Sequence, residues 1–378
     1  MESWQKIKKL GQGSFGLVFL ATNKSSSSSS KRFVAVKSID CSAQFAVASL
    51  REEARILGQL IGTPNVVQCY GEDFSIENGR KIYNLLLDYA PGGSLHDLIC
   101  NTYSGGKTLP EPLVALYSSM LLKALAGIHS KGIVHCDLKP ENVLIFPTLC
   151  GGRHINMLKL ADFGSARRLS EEEQLVETDS GGTKTYTKTT LPYASPESVS
   201  SGVHGTGTDI WSFGCIVIEM ITGQRAYNYR DNDDLVHQIL HGCIFVPGRL
   251  SNMDGVDFLM RCFDRDPKYR WSALKLLNHP FIVNNLKMMS QIHGVDYSKI
   301  EDTNYSQKNP FGRLDWVTKQ HLFSKGQQQQ QPLVHHHHHQ EEARRQKRLQ
   351  FHQPYVRLPV QNSHQLPGPT ALNHCLRV

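Results

Sequence analysis

The chain has 378 residues, 40% of them hydrophobic and 20% charged, enough for two lobes with cores of their own plus an appendage. No apolar run approaches the roughly 20 residues that cross a bilayer, and the basic start leads into glycine-rich sequence instead of a signal-peptide core, so a cytoplasmic or nuclear protein without a membrane partner is expected. Of the net charge of +7, residues 285–378 carry +6 (12 basic, 6 acidic) and residues 1–284 only +1 (29 basic, 28 acidic), which argues against a nucleic-acid surface on the folded part. The nine cysteines are scattered and never spaced as CxxC, the pattern of reduced structural thiols.

In chain order, residues 1–90 read as β. Ile7–Leu10, Leu17–Ala21 and the alternating, β-branched Phe33–Ile39 are strand candidates, and the polar run Ser25–Ser30 is an exposed hairpin loop. Ser49–Leu60 has a helical period at Leu50, Ala54, Leu57 and Leu60; Val66–Tyr70 and Ile82–Leu87 are two further strands. After Ala90–Ser94 the pattern turns helical, with helices over Leu113–His129, Ile210–Ile221 and Val256–Phe263, and Asn278-His279-Pro280 marks their end. From 285 the sequence becomes a low-complexity, largely disordered basic tail, with Gln327–Gln331 and His335–His339. The histidine tract reads as solvated chain and not as a metal site.

Gly11, Gly13 and Gly16 form a GxGxxGxV loop between two strands, where backbone N–H groups can approach phosphate oxygens without a Cβ in the way. Alone it is weak, because the same letters describe a plain hairpin or open a dinucleotide site. Lys37 stands among apolar strand residues and needs a partner; the helix offers Glu52 and Glu53, and Leu57 four residues on places Glu53 on the inner side. Asp137 precedes Asn142 by five residues, with Lys139 between, and Asp162-Phe163-Gly164 follows. Two carboxylates and a carboxamide are what phosphoryl transfer needs: one acid to take the acceptor's proton, the other with the amide oxygen to hold a metal ion on the phosphates.

In this order the motifs resemble the eukaryotic protein kinases over about residues 4–283, extended by Ser195-Pro196-Glu197, Asp209–Gly214 and Arg270. The resemblance implies an α+β bilobal fold, with a β-rich lobe over about 1–90, a mainly helical lobe over about 91–284, and ATP and Mg²⁺ between them. It implies that Val18, Ala35 and Leu144 sandwich the adenine, that the backbone of Asp88–Ala90 reads its edge beside Leu87, and that Lys37 binds phosphates and is held by Glu53. It also implies Asp137 as base, Lys139 on the γ-phosphate, Asn142 and Asp162 on metal, and Arg270 paired with Glu197.

The lysine two residues after the base and Thr190 are similar to the serine/threonine class, although Thr189 replaces the usual glycine. Within the superfamily the chain most resembles plant MAP kinase kinase kinases, which implies MAP kinase kinases as substrates. The alternatives are a silent kinase-fold scaffold, a kinase outside this cascade, or an RNA-associated protein. Cys136 replaces an arginine that elsewhere grips an activation-loop phosphate, so a regulatory contact is missing and the base is intact. Hydroxyls from Thr178 to Thr189, near Lys184 and Lys188, are candidate phosphorylation sites. The basic cluster Arg344–Phe351 resembles a MAP kinase docking peptide; a solvated charge run has the same composition.

Overall fold

The computed structural model describes residues 4–13, 16–23, 32–150, 152–169, 189–244, 250 and 253–300. Contacts divide the chain into two units, and the described residues all belong to the first. The serine run, the acceptors from Thr178 to Thr187, Lys184, Lys188 and the 344–351 cluster lie outside the described residues.

The N-terminal lobe is a five-stranded antiparallel sheet in the order β1-β2-β3-β5-β4, comprising β1 (Trp4–Gly13), β2 (Gly16–Asn23), β3 (Phe33–Asp40), β4 (Cys69–Glu77) and β5 (Arg80–Asp88). Alternation along β3 sorts the two faces. Val34 and Val36 pack with Trp4, Ala21 and Leu86 in a buried cluster. The other face carries Ala35 and Lys37, opposite Leu87 and Leu85 on one side and opposite Leu20 and Val18 on the other. Helix α1 (Gln44–Gln59) lies beside the sheet and buries Leu50, Glu53, Ala54, Ile56 and Leu57.

Two sequence boundaries are corrected here. Val66 is not in a strand but makes a single parallel bridge to Leu160, and β4 starts only at Cys69. It turns into β5 through Asn78 and Gly79, both at positive φ (50° and 76°), the hairpin geometry that Asn-Gly favours. Helix α1 also starts at Gln44, earlier than its apolar period, because the first turn includes Phe45, which is 81% exposed.

The C-terminal lobe is built on α2 (Leu95–Ser104), α3 (Glu111–His129), α4 (Pro196–Ser201), α5 (Thr206–Thr222), α6 (Asn232–His241), α7 (Met253–Cys262), α8 (Ala273–Leu277) and α9 (Pro280–His293). Short strands β6 (Ile133–Val134), β7 (Val143–Cys150), β8 (Arg153–Leu160) and β9 (Arg167–Arg168) pair as β6-β9 and β7-β8. Helix α5 is buried from Thr208 to Ile221, as a helix apolar on all sides must be. Helix α3 is long and apolar enough to cross a membrane by length and composition, but it buries Val114–Leu122 and Ala124–Leu125 inside the lobe, as a core helix does.

The folded part does not stop at 284. His279 caps α9 by accepting the Phe281 N–H on Nδ1 (3.1 Å), and Pro280 takes the first helical position, so this tripeptide starts a helix. Asn285, Leu286 and Met289 are buried on α9, as are Tyr297 and Ile300 beyond it. Lys123 on α3 donates to the carbonyls of Ser298 (3.1 Å) and Ile300 (3.3 Å), tying this extension to the lobe.

Candidate active site

Lys37 lies on β3 with its side chain 5% exposed, an untenable place for an ammonium without partners. It has two: Glu53 Oε2 at 2.7 Å and Asp162 Oδ1 at 2.9 Å. Burial lowers the Lys37 pKa, but the two carboxylates outweigh it, and the net direction is up: the lysine stays charged. Burial pushes Asp162 the other way, and the Lys37 charge and hydrogen bond overcome it, so its carboxyl is held below the ordinary range. Asp162 sits in the left-handed region (φ 58°), a strained setting that the surroundings must maintain.

The second cluster lies on the loop between β6 and β7. Asp137 Oδ1 accepts from Thr190 Oγ1 (2.6 Å) and Thr190 N (3.0 Å), and Asp137 Oδ2 accepts from Lys139 Nζ (2.7 Å). Lys139 also donates to Thr190 Oγ1 (2.8 Å), closing a triangle of aspartate, lysine and threonine. The Thr189 replacement therefore leaves this geometry intact; its hydroxyl is buried without a hydrogen-bond partner among the described residues. Asn142 donates through Nδ2 to Asp137 O (2.8 Å), which leaves its amide oxygen as an acceptor.

The two clusters are joined through backbone and ring. Ala161 N, next to Asp162, donates to Asn142 O (2.8 Å). His135 accepts the Asp137 N–H on Nδ1 (3.3 Å), so its proton is on Nε2, which faces Ala161 O at 3.0 Å. Its ring also meets Phe163 edge-on, with centroids 4.9 Å apart. Beneath them Asp209, at the start of α5, accepts from His135 N (2.9 Å) and Cys136 N (3.0 Å) and faces His129 Nε2 (2.8 Å). Arg270 holds Glu197 with both guanidinium nitrogens (2.7 and 3.1 Å).

The residues expected around the base of a nucleotide line up on the same side of the sheet. Val18 is paired with Lys37, and Ala35 with Leu87. Leu144, on β7 of the other lobe, bridges to Ser94 of that same lobe, and Val18, Ala35, Ala90 and Leu144 are half-buried. Asp88 turns its side chain away: Lys159 Nζ (3.0 Å), Gln68 N (3.0 Å) and the Tyr70 hydroxyl all bind its carboxylate. Its own N–H goes to Gln68 O (3.0 Å), so its backbone carbonyl is what it can offer a ligand. Gly11 and Gly13 lie on β1 and Gly16 opens β2; a Cβ on Gly16 would come within 2.5 Å of Ser38 O, so only glycine fits there.

The chemistry of the donors suits a hard divalent ion. Asn142 offers an amide oxygen and Asp162 its second carboxylate oxygen, and one or two protein oxygens suffice when phosphates supply others. Cys136 is 2% exposed, packs on Val134 and Leu169, and burial together with the Asp209 charge raises its thiol pKa well above normal. It is an inert thiol at positive φ (64°), not a redox switch.

A β-rich lobe facing a helical lobe, with a paired lysine, a loop aspartate and a second aspartate at the seam, defines the protein kinase class. The chain belongs to the protein kinase family: the protein kinase domain model matches residues 4–282. It is similar to mitogen-activated protein kinase kinase kinase 20 of Arabidopsis thaliana, 34% identical over 319 residues that cover 83% of this chain and 88% of that protein. It is also similar to kinase kinase kinase 18 of the same plant, 35% identical over 295 residues (75% of this chain, 78% of that protein). A third relative is mitogen-activated protein kinase kinase kinase 4 of Homo sapiens, 32% identical over 286 residues (74% of this chain, 16% of that protein). The chain is therefore a serine/threonine protein kinase, and its family uses ATP with a divalent metal ion to modify protein substrates.

Proposed function

We propose that this kinase transfers the γ-phosphate of Mg·ATP to serine and threonine hydroxyls of MAP kinase kinases. The observation that carries the transfer chemistry is the Asp137–Lys139–Thr190 triangle, beside the Lys37–Asp162 pair. In this reading Val18, Ala35 and Leu144 hold the adenine, the backbone of Asp88 and Ala90 reads its edge, and the N–H groups of the glycine loop meet the phosphates. Lys37, held by Glu53, fixes the phosphate chain. The incoming hydroxyl takes the place of Thr190 Oγ1 at Asp137, which accepts its proton as oxygen attacks phosphorus, and Lys139 offsets the charge that develops on the transferred group. Asn142 and Asp162 would hold the magnesium, which when bound neutralises phosphate oxygens.

The acceptor class follows from the relatives' names and from Thr190, which ties the segment before α4 to the base. Phosphosite mapping on a panel of purified MAP kinase kinases tests it: phosphate on serine or threonine of their activation segments is expected, and phosphate on tyrosine, or on none of the panel, contradicts it. Cys136 offers no guanidinium for an activation-loop phosphate, so protein treated with phosphatase is expected to keep most of its activity. The cluster Arg344–Phe351 is proposed as a MAP kinase docking segment; its deletion is expected to weaken MAP kinase capture and leave transfer to a MAP kinase kinase unchanged.

A further inference from the structure

We infer that Cys100, His96 and Glu141 form a peroxide-reactive thiol site on the lip of the C-terminal lobe. Three of the eight described cysteines are poor candidates for such chemistry. Cys136, Cys215 and Cys262 are buried, and burial raises all three thiols. Cys100 is exposed, and its Sγ lies 3.5 Å from His96 Nε2, one helical turn earlier. The far ring nitrogen, His96 Nδ1, is buried, has no hydrogen bond, and faces Glu141 Oε1 at 3.8 Å. Thiol, imidazole and carboxylate thus stand in line, the order in which a base takes a thiol proton and a carboxylate steadies the imidazolium.

Helix α2 fixes this order. Residues four apart share a helix face, so the backbone itself places His96 under Cys100. The first turn is held by a reciprocal cap, in which Ser94 N donates to Asp97 Oδ2 (3.0 Å) and Ser94 Oγ accepts from Asp97 N (3.2 Å). Buried Leu95 and Ile99 seat the helix on the lobe. Cys243 is the other exposed thiol among the described cysteines.

Other uses of the trio fit less well. Among the described residues no group of three His, Cys, Asp or Glu side chains is placed to hold a metal ion, and all the described cysteines are free. What remains is attack on a small electrophile arriving from solvent. With hydrogen peroxide, His96 Nε2 takes the S–H proton, sulfur attacks one peroxide oxygen, and the O–O bond breaks. The leaving hydroxide recovers the proton as water, and the cysteine, oxidised by two electrons, becomes a sulfenic acid. Glu141 lies between Lys139 and Asn142, so the site adjoins the catalytic loop.

The test uses the full chain, hydrogen peroxide and dimedone, with adduct formation read at each cysteine by mass spectrometry. It reads thiol chemistry and not phosphate transfer, so its outcome is independent of the kinase reading. Cys100 is expected to label about tenfold faster than Cys243, and His96→Gln is expected to bring Cys100 down to the Cys243 rate. An unchanged Cys243 rate in that variant shows that the fold has not loosened. Equal labelling of the two cysteines in the wild type, or fast Cys100 labelling that survives His96→Gln, would overturn the inference.

Discussion

Asp209 carries more of the site than its distance from any substrate suggests. Its two carboxylate oxygens take the N–H groups of His135 and Cys136, the two residues that lead into Asp137. Both amides are buried, so removing the acceptor leaves donors that water cannot reach. Asp209→Ala is expected to destabilise the protein by roughly 3 kcal/mol in urea unfolding. It should also lower phosphate transfer, because the Cys136 backbone at positive φ loses its tether.

Acid should act through the same residue. Burial raises the Asp209 carboxyl, but the hydrogen bond and charge of His129 lower it further, so its folded value lies below the unfolded one. A carboxyl depressed on folding contributes stability that is present above its unfolded value, about 3.9, and is lost as pH falls through the folded value. Asp162 has the same sign. Unfolding free energy is therefore expected to drop on acidification below about pH 5, and Asp209→Asn is expected to flatten that drop. A wild-type curve that stays level down to pH 3 would contradict this.

At the scale of elements, α9 and the residues after it act as a strap across α3. Leu286, Met289, Tyr297 and Ile300 are each under 10% exposed, and burying such side chains contributes about 1.5–3 kcal/mol apiece. A chain ending at 284 is expected to melt several degrees below one ending at 300 in a thermal scan; equal melting temperatures would show the strap to be dispensable.

The sequence made the site elements readable where chemistry and local pattern coincide. Strand β3 alternates, α1 has a helical period, and the Lys37–Glu53 pair followed from the two together. Boundaries set by single contacts were harder. The strap carries apolar residues, but low-complexity neighbours hide them, and the capping role of His279 is invisible until its ring is placed. Asn78-Gly79 is a hairpin signal that the strand reading over Val66–Tyr70 and Ile82–Leu87 leaves out. The Asp88–Lys159 pair was not readable, because 71 residues separate partners that meet only after both lobes form. His135 gave no sign of its role either, since that role lies in ring hydrogen bonds to the Asp137 N–H and to the distant Ala161 carbonyl.

For the molecule as a whole, the two lobes meet through charged contacts and through backbone hydrogen bonds such as Val67 N to Leu160 O (2.9 Å). Lys37 and Glu53 come from the sheet and its helix, and Asp162 comes from the segment after β8, so one ammonium spans the seam. Glu53→Gln keeps the shape but removes one of the two charges on Lys37, and it is expected to lower transfer by about tenfold to a hundredfold with little change in melting temperature.

In the proposed function, Lys37, Asp137, Asn142 and Asp162 serve a single magnesium-nucleotide cleft. This is tested most directly by following labelled γ-phosphate from Mg·ATP into a purified MAP kinase kinase with wild type, Lys37→Met and Asp162→Asn side by side. The expected result is transfer by the wild type and a loss of at least about a hundredfold in each variant, with all three proteins equally folded. Transfer by either variant at the wild-type rate, or none by the folded wild type, would contradict it.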